Sequence, residues 1–189
     1  MTSEPNRFPS ADIHNLRGPL SELPWSADFV MQAIEILPVA YRDGRVIYLK
    51  PEHAESLVIG WPAGAKPEEI GLRTLESLGL EPIVLHSTSW RHAGTEAVLT
   101  YLTVVSPVAG TPRNWVAIPV HRAELARGDT TAPPPTIGVE QVLEHALRHL
   151  SWLLRDDPAI SEALPEWRAV LADYRPEPFR ALGGPPVPT

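Results

Sequence analysis

The stretch from Ser56 to Val105 constrains the fold of this chain more than any other. It reads SLVIGWPAGAKPEEIGLRTLESLGLEPIVLHSTSWRHAGTEAVLTYLTVV, which predicts a strand, a Gly/Pro loop, a short helix and two further strands. The first of these two strands is expected to run from about Glu81 to Ser89, and the polar turn RHAGTE at residues 91–96 joins it to the second. Pro67 suits the first helical turn, where an N–H has no partner, and Glu68 and Glu69 favour the positive end of the helix dipole. Gly79 suits a left-handed residue after the helix. The loop-to-helix corner is therefore well specified.

A hairpin is predicted just before that stretch. The apolar, partly β-branched run 29–42 ends at Asp43-Gly44, and RVIYLK follows at once, which is a strong signal for two strands with a tight turn. Pro38 cannot donate to a strand ladder, so we expect it at a bulge or on an unpaired side of the first strand. The run 97–105 carries sizeable side chains on both faces, which predicts a central strand.

Proline content and helical periodicity divide the rest of the chain. The apolar residues between Val139 and Arg155 repeat at spacings of three and four, which predicts an amphipathic helix. Pro-rich segments precede this helix and stand at both ends of the chain. The expected organisation is an N-terminal arm at residues 1–24, an α/β domain at 25–128, a linker at 129–138 and C-terminal helices at 139–175. A tail at residues 176–189 is expected to be disordered unless a partner holds it.

Composition limits the classes of partner. The chain has 189 residues, 43% of them apolar, and a net charge of −7, which fits one globular domain with appendages. No apolar run approaches the roughly 18 residues of a membrane span, and no signal-like segment follows Met1, so we expect a cytoplasmic protein without a membrane partner. The sixteen basic residues are scattered, so we expect no nucleic-acid partner. A small molecule or a protein is the expected partner.

The order of the predicted elements resembles the Nudix hydrolase fold over residues 29–128. AYRDGRVIYLK resembles the first hairpin of that family, GWPAGAKPEEIGLRTLESLGLEP resembles its box, and WVAIPVHRAEL resembles its closing strand and turn. The resemblance implies an α/β (α+β) fold, with helices packed on a mixed sheet, to which this chain adds C-terminal helices. It also implies a box helix whose carboxylates hold Mg²⁺ against a diphosphate, because magnesium requires oxygen ligands.

The helix of this chain departs from the family's box. Arg73 and Leu75 match the pattern, and Glu76 is the only carboxylate in the second half of the helix. The family's carboxylate positions are occupied here by Thr74, Ser77 and Leu78. One carboxylate is too few for a magnesium diphosphate site. We therefore expect a degenerate Nudix box, no metal, no cofactor, no catalytic residue and a non-catalytic, regulatory protein that binds a small ligand or another protein.

Two alternatives remain open at this point. A diverged hydrolase of a nucleoside diphosphate-type substrate would use Mg²⁺ and recruit carboxylates from elsewhere, such as Glu68, Glu69, Glu76 and Glu96. A purely structural interaction module would work through the C-terminal helices and would form a stable homodimer or complex.

The expected ligand pocket lies between the Gly64 loop, the Pro67 helix and the Trp90 hairpin. Arg91 could pair with an anionic group and Trp90 could stack on a ring, although an ordinary polar hairpin tip explains the same residues. The candidate ligand-binding residues are Trp61, Gly64, Arg73, Glu76, His86, Trp90, Arg91, His92 and Glu96.

A histidine pair on the amphipathic helix is the remaining candidate. His145 and His149 have the spacing that places two imidazoles on one helix face, as zinc sites require. The run HALRH lacks the glutamate next to the first histidine that a metalloprotease motif contains. The sequence therefore favours histidines at the edge of the core over metal ligands.

Overall fold

The computed structural model describes residues 32–62, 64–93, 96–106, 110–123 and 137–174. The expected N-terminal arm, the C-terminal tail and most of the Pro-rich linker lie outside these residues. The domain boundaries expected from the sequence therefore stay predictions.

The described part of the chain contains one mixed sheet of six strands. The sheet order is β4-β5-β1-β2-β6, and β3 also pairs with β1. The strands β1 and β5 run parallel, and the other pairs are antiparallel. The strand bounds are β1 Gln32–Arg42, β2 Arg45–Pro51, β3 Leu57–Trp61, β4 Pro82–Ala93, β5 Glu96–Val105 and β6 Trp115–Pro119.

Helices pack on both faces of this sheet. One face carries α1, Pro67–Ser77, and the other carries α2, Val139–Asp156, followed by α3, Pro158–Ala163, and α4, Trp167–Val170. The expected fold class, a mixed α+β architecture with helices packed on a mixed sheet, is confirmed. This architecture is consistent with a Nudix-like fold.

The first hairpin forms where the sequence predicts it. Asp43 and Gly44 have φ angles of 50° and 74°, as a tight hairpin turn with two left-handed residues requires. Pro38 lies where β1 changes partners, because β3 pairs with β1 up to Ile36 and β2 pairs with it from Val39. The missing N–H of Pro38 therefore falls at a gap in the ladder on that side of β1.

The corner from loop to helix also follows the sequence signals. Pro67 stands at the start of α1, and Gly79 has a φ of 70° just after it. The backbone N–H of Gly79 donates to Glu76 and that of Leu80 donates to Leu75, which satisfies carbonyls at the end of the helix.

The second hairpin is longer than the sequence predicts. We expected its first strand to end at Ser89 and a polar turn to cover residues 91–96, but β4 continues to Ala93 and β5 begins at Glu96. A bulge between Ser87 and Ser89 interrupts the ladder. The extra residue shifts the alternation of side chains by one position, so the sequence pattern reads as the end of a strand.

The two faces of the sheet have separate cores, because successive side chains of β1 point in opposite directions. Ile34, Ile36 and Leu75 belong to the core on the α1 side. Leu37 and Val39 belong to the core on the α2 side, which also contains much of the buried face of the C-terminal helices. A site built from α1 and a site built from α2 are therefore separated by the sheet.

Candidate functional site

The loop before α1 is held by the indole of Trp61. Its ring N–H donates to the carbonyl of Ala65 at 2.6 Å, and the ring packs against the core on the α1 side. Gly64 lies inside this loop with a φ of 78°. Trp61 therefore anchors the loop, and its expected contact with a ligand stays a prediction.

Two hydroxyl side chains in the second half of α1 bond to the backbone of their own helix. The hydroxyl of Thr74 donates to the carbonyl of Ile70 at 2.8 Å, and that of Ser77 donates to the carbonyl of Thr74 at 2.7 Å. Arg73 and Glu76 are exposed on the same helix. Thr74 and Ser77, which we expected at carboxylate positions of a degenerate box, thus bond to the backbone of the helix, and the degenerate box itself stays a prediction.

The first-turn carboxylates of α1 have partners. Glu68 accepts a hydrogen bond from the hydroxyl of Tyr101 at 3.1 Å, and Glu69 pairs with Lys66 at 3.0 Å. Burial, followed by the hydrogen bond and the negative charge of Glu68, raises the pKa of Tyr101 to about 12. The hydrogen bond with Tyr101 links Glu68 to β5.

The candidate residues of β4 are split between the two faces of the sheet. Trp90 stands opposite Leu99, which packs on the α1 side, and 66% of Trp90 is exposed. Arg91 stands opposite Val98 and points to the α2 side. The structure therefore brings Trp90 to the same side as α1 but separates Arg91 from it. The strand positions of His92 and Glu96 are described, but their side chains are not.

Arg91 binds a buried carboxylate that the sequence reading missed. Glu35 on β1 is only 3% exposed and accepts hydrogen bonds from the two terminal nitrogens of Arg91 at 2.6 and 2.9 Å. The hydroxyls of Ser56 and Thr100 donate to the same carboxylate at 2.8 and 3.0 Å. The sequence signal that could have identified Glu35 is its position as an isolated carboxylate in the middle of an apolar strand.

The charge state of Glu35 depends on these partners. Burial by itself would raise the pKa of the carboxyl, but the hydrogen bonds and positive charge of Arg91, with the hydroxyls of Ser56 and Thr100, hold it below its usual value. Glu35 therefore stays ionised at neutral pH, and Arg91 is occupied by a protein carboxylate.

A second charged network joins α2 to the segment after β6. Glu144 is 1% exposed and accepts hydrogen bonds from Arg122, from Arg148 and from the backbone N–H of Ala123. The guanidinium of Arg122 also lies 4.3 Å from the centre of the Tyr174 ring. This network holds α2 against the segment after β6, which contains Arg122, and against the segment that contains Tyr174.

Three histidines meet between β4 and α2. The ring centre of His149 lies 4.6 Å from that of His145 and 6.1 Å from that of His86. Burial lowers the pKa of all three rings. Within the described residues, no group of three or more histidine, cysteine, aspartate or glutamate side chains could hold a metal ion. His86 thus lies with the helical histidines rather than with the loop before α1.

A cavity of about 450 Å³ lies between α2 and α4, on the side of the sheet opposite the expected pocket. Its floor is apolar, with Leu154 and Leu171, and Arg155 and Arg168 border it. The sequence reading did not identify this cavity, because its lining residues are brought together only by the packing of α4 on α2.

No family model and no curated protein matches this chain. Among solved structures it is similar to a crystal structure of Shewanella oneidensis NrtR complexed with a 27mer DNA, with 13% identity, a TM-score of 0.47 and 77% of each chain covered. It is also similar to a solution structure of the E. coli ORF135 protein, with 15% identity and a TM-score of 0.30, over 53% of this chain and 78% of that one.

The comparison with NrtR corrects one expectation. We had excluded a nucleic-acid partner from the acidic net charge and the scattered basic residues, and that exclusion is contradicted by the similar NrtR structure, which was solved with DNA. Net charge sums over the whole chain, whereas a nucleic acid contacts one face, so the total charge does not decide the partner class. Within the described residues, no helix has the length and apolar character needed to cross a membrane.

Proposed function

We propose that this chain is a Nudix-like domain with a degenerate box, which binds a small ligand in a regulatory role and does not hydrolyse it. The arrangement of Thr74 and Ser77 carries the proposal, because their hydroxyls bond to the backbone of α1. A helix that held Mg²⁺ through its second half would present several carboxylate oxygens there. The cytoplasmic location expected from the sequence remains part of the proposal.

The proposed ligand surface lies on the α1 side of the sheet. Exposed Arg73 supplies a positive charge, and exposed Trp90 supplies a ring on which a base or sugar can stack. This combination suits an anionic ligand with a flat or apolar part, such as a nucleoside diphosphate.

A thermal-shift screen tests this proposal. The full chain is heated with nucleoside diphosphates and nucleoside diphosphate sugars, with and without Mg²⁺. We expect a rise in Tm that does not require Mg²⁺ and that is lost in Arg73→Ala. Arg113→Ala is the matched control, because Arg113 is an exposed arginine in the loop before β6, away from α1.

Two outcomes would overturn the proposal. A Mg²⁺-dependent rise in Tm, together with product release that Glu76→Gln abolishes, would establish the diverged hydrolase instead. A rise in Tm with duplex DNA and with no small molecule would replace the ligand class by nucleic acid. The DNA probe is included because one similar structure was solved with DNA.

A second candidate function is protein binding by the C-terminal helices. Trp152 on α2 is 47% exposed, which is unusual for a residue with so large an apolar surface. If this face mediates association, light scattering should show a homodimer of the wild-type chain and a monomer of Trp152→Ala. A wild-type monomer at all concentrations would remove the homodimer from consideration.

A further inference from the structure

The contact between β4 and α2 contains an unusual concentration of titratable rings. His86 comes from the strand, and His145 and His149 come from successive turns of the helix. The rings of His145 and His149 meet edge to face. All three side chains are partly buried, so a proton on any of them would enter a packed contact.

Among the described residues, the buried carboxylates on this face of the sheet, Glu35 and Glu144, are already paired with arginines. The charges that act on the three rings come from Arg148 and from the other histidines of the cluster. His145 also forms a hydrogen bond with the backbone of Thr88. Next to β4, β5 contributes Leu102 and Val104 to the core beneath α2, and neither can titrate. Glu35 is bound by Arg91 on β4 itself, and Glu144 is bound by Arg122 and Arg148.

We propose that the histidine cluster of His86, His145 and His149 is a pH-sensitive latch that holds α2 on the edge strand β4 at neutral pH and releases it on acidification. Protonated rings would repel one another and Arg148 across the contact. Release of α2 would uncover the apolar side chains that it buries, including Leu147, Leu150 and Leu154. The latch thus couples pH to the exposure of a binding surface.

The sign of the pH dependence follows from linkage. Burial holds the pKa values of the docked rings below the ordinary histidine value of about 6.5, so protons bind the released state more tightly. Docking is therefore at full strength above a pH of about 6.5 and weakens as the pH falls below it.

Hydrogen exchange on the full chain, followed by mass spectrometry at pH 7.5 and 5.5 and corrected for intrinsic rates, tests the latch. Both pH values lie above the ordinary carboxyl pKa of about 4.3, so histidines dominate the change between them. We expect the protection of α2 and β4 to be several-fold lower at pH 5.5 than at pH 7.5, because the released state binds protons more tightly than the docked state. The β1–β2 hairpin should keep its protection.

Variants separate the cluster from other histidines. The triple variant His86→Gln, His145→Gln and His149→Gln should lose the difference in α2 protection between the two pH values. His53→Gln and His121→Gln alter exposed histidines outside the cluster and should leave it unchanged. If the triple variant does not fold, His149→Gln alone should reduce the difference, because His149 contacts both other rings.

The wild-type protein supplies an independent measurement. NMR titration should give the three cluster rings pKa values below the ordinary histidine value of about 6.5. Equal protection of α2 at pH 7.5 and 5.5, or a pH response that survives in the folded triple variant, would overturn the proposal.

Discussion

The two faces of the sheet differ in how they are held together. On the α1 side, the core is apolar, and the hydrogen bond between Tyr101 and Glu68 lies at its edge. On the α2 side, the buried carboxylates of Glu35 and Glu144 bind arginines, and three histidines pack against one another. The face that carries the family resemblance therefore has the simpler chemistry.

This difference separates two kinds of sequence information. The α1 side is recognisable because its signals are local, such as Pro67 at the helix start and Gly79 at its end. On the α2 side, the ion pairs of Arg91 with Glu35 and of Arg122 with Glu144 join residues that are distant in the chain, for which no local pattern exists. A resemblance based on local patterns therefore identifies features of the α1 side but does not reveal the ion pairs of the α2 side.

Removal of the Glu144 carboxylate should have the largest effect on stability. Glu144→Ala leaves Arg122 and Arg148 without their buried partner, and we expect a loss of about 4 kcal/mol in the free energy of unfolding. Urea denaturation measures it. Glu162→Ala, at an exposed position on α3, should stay within about 0.5 kcal/mol of wild type. A Glu144→Ala variant as stable as this control would mean that the network contributes little.

The apolar side should respond to a change in packing. Leu75→Ala removes a fully buried side chain of α1 and should cost about 3 kcal/mol. Leu72→Ala, at a more exposed position on the same helix, should cost much less. The loss in Leu75→Ala should also be independent of pH between 5 and 8, as measured by denaturation across that range. A pH-dependent loss would weaken the contrast between the two faces.

The charge of Glu35 should make the α2 side sensitive to acid. We expect Glu35→Gln to cost about 2 kcal/mol at pH 7, because the hydrogen bonds with Arg91 lose their second charge. Since the folded-state pKa of Glu35 is lowered, its contribution is fully present above its ordinary value of 4.5 and is lost as the pH falls through the lower folded value.

The difference in stability between wild type and Glu35→Gln should therefore shrink below pH 4.5. Denaturation curves at several pH values between 7 and 3 measure this difference. A constant difference across the range would show that the ionised form of Glu35 is not favoured by folding.

The smallest effect on stability is expected at the proposed ligand surface. Trp90 is 66% exposed, so Trp90→Ala should change the free energy of unfolding by only about 0.5 kcal/mol. The same variant should reduce the rise in Tm that the ligand gives. A large loss of stability without ligand would assign Trp90 a packing role.

The sequence predicted much of the fold because the relevant signals are short in range. The Asp43-Gly44 turn, the start of α1 at Pro67 and the periodic helix from Val139 all lie where local rules placed them. The predicted end of β4 was wrong because a bulge reverses the alternation of the side chains in this strand. That bulge is stabilised by pairing with β5, which the sequence of β4 does not contain.

By itself, the sequence determined the turns, the helix ends and the apolar periodicity of this protein, because each depends on residues within a few positions of one another. Only the tertiary structure decided which charges meet. Arg91 and Glu35 are 56 residues apart, and Arg122 and Glu144 are 22 apart. The sheet brings each pair together by placing distant segments side by side, and burial then makes each charge require its partner. The same packing gathered the three histidines of the proposed latch from β4 and α2.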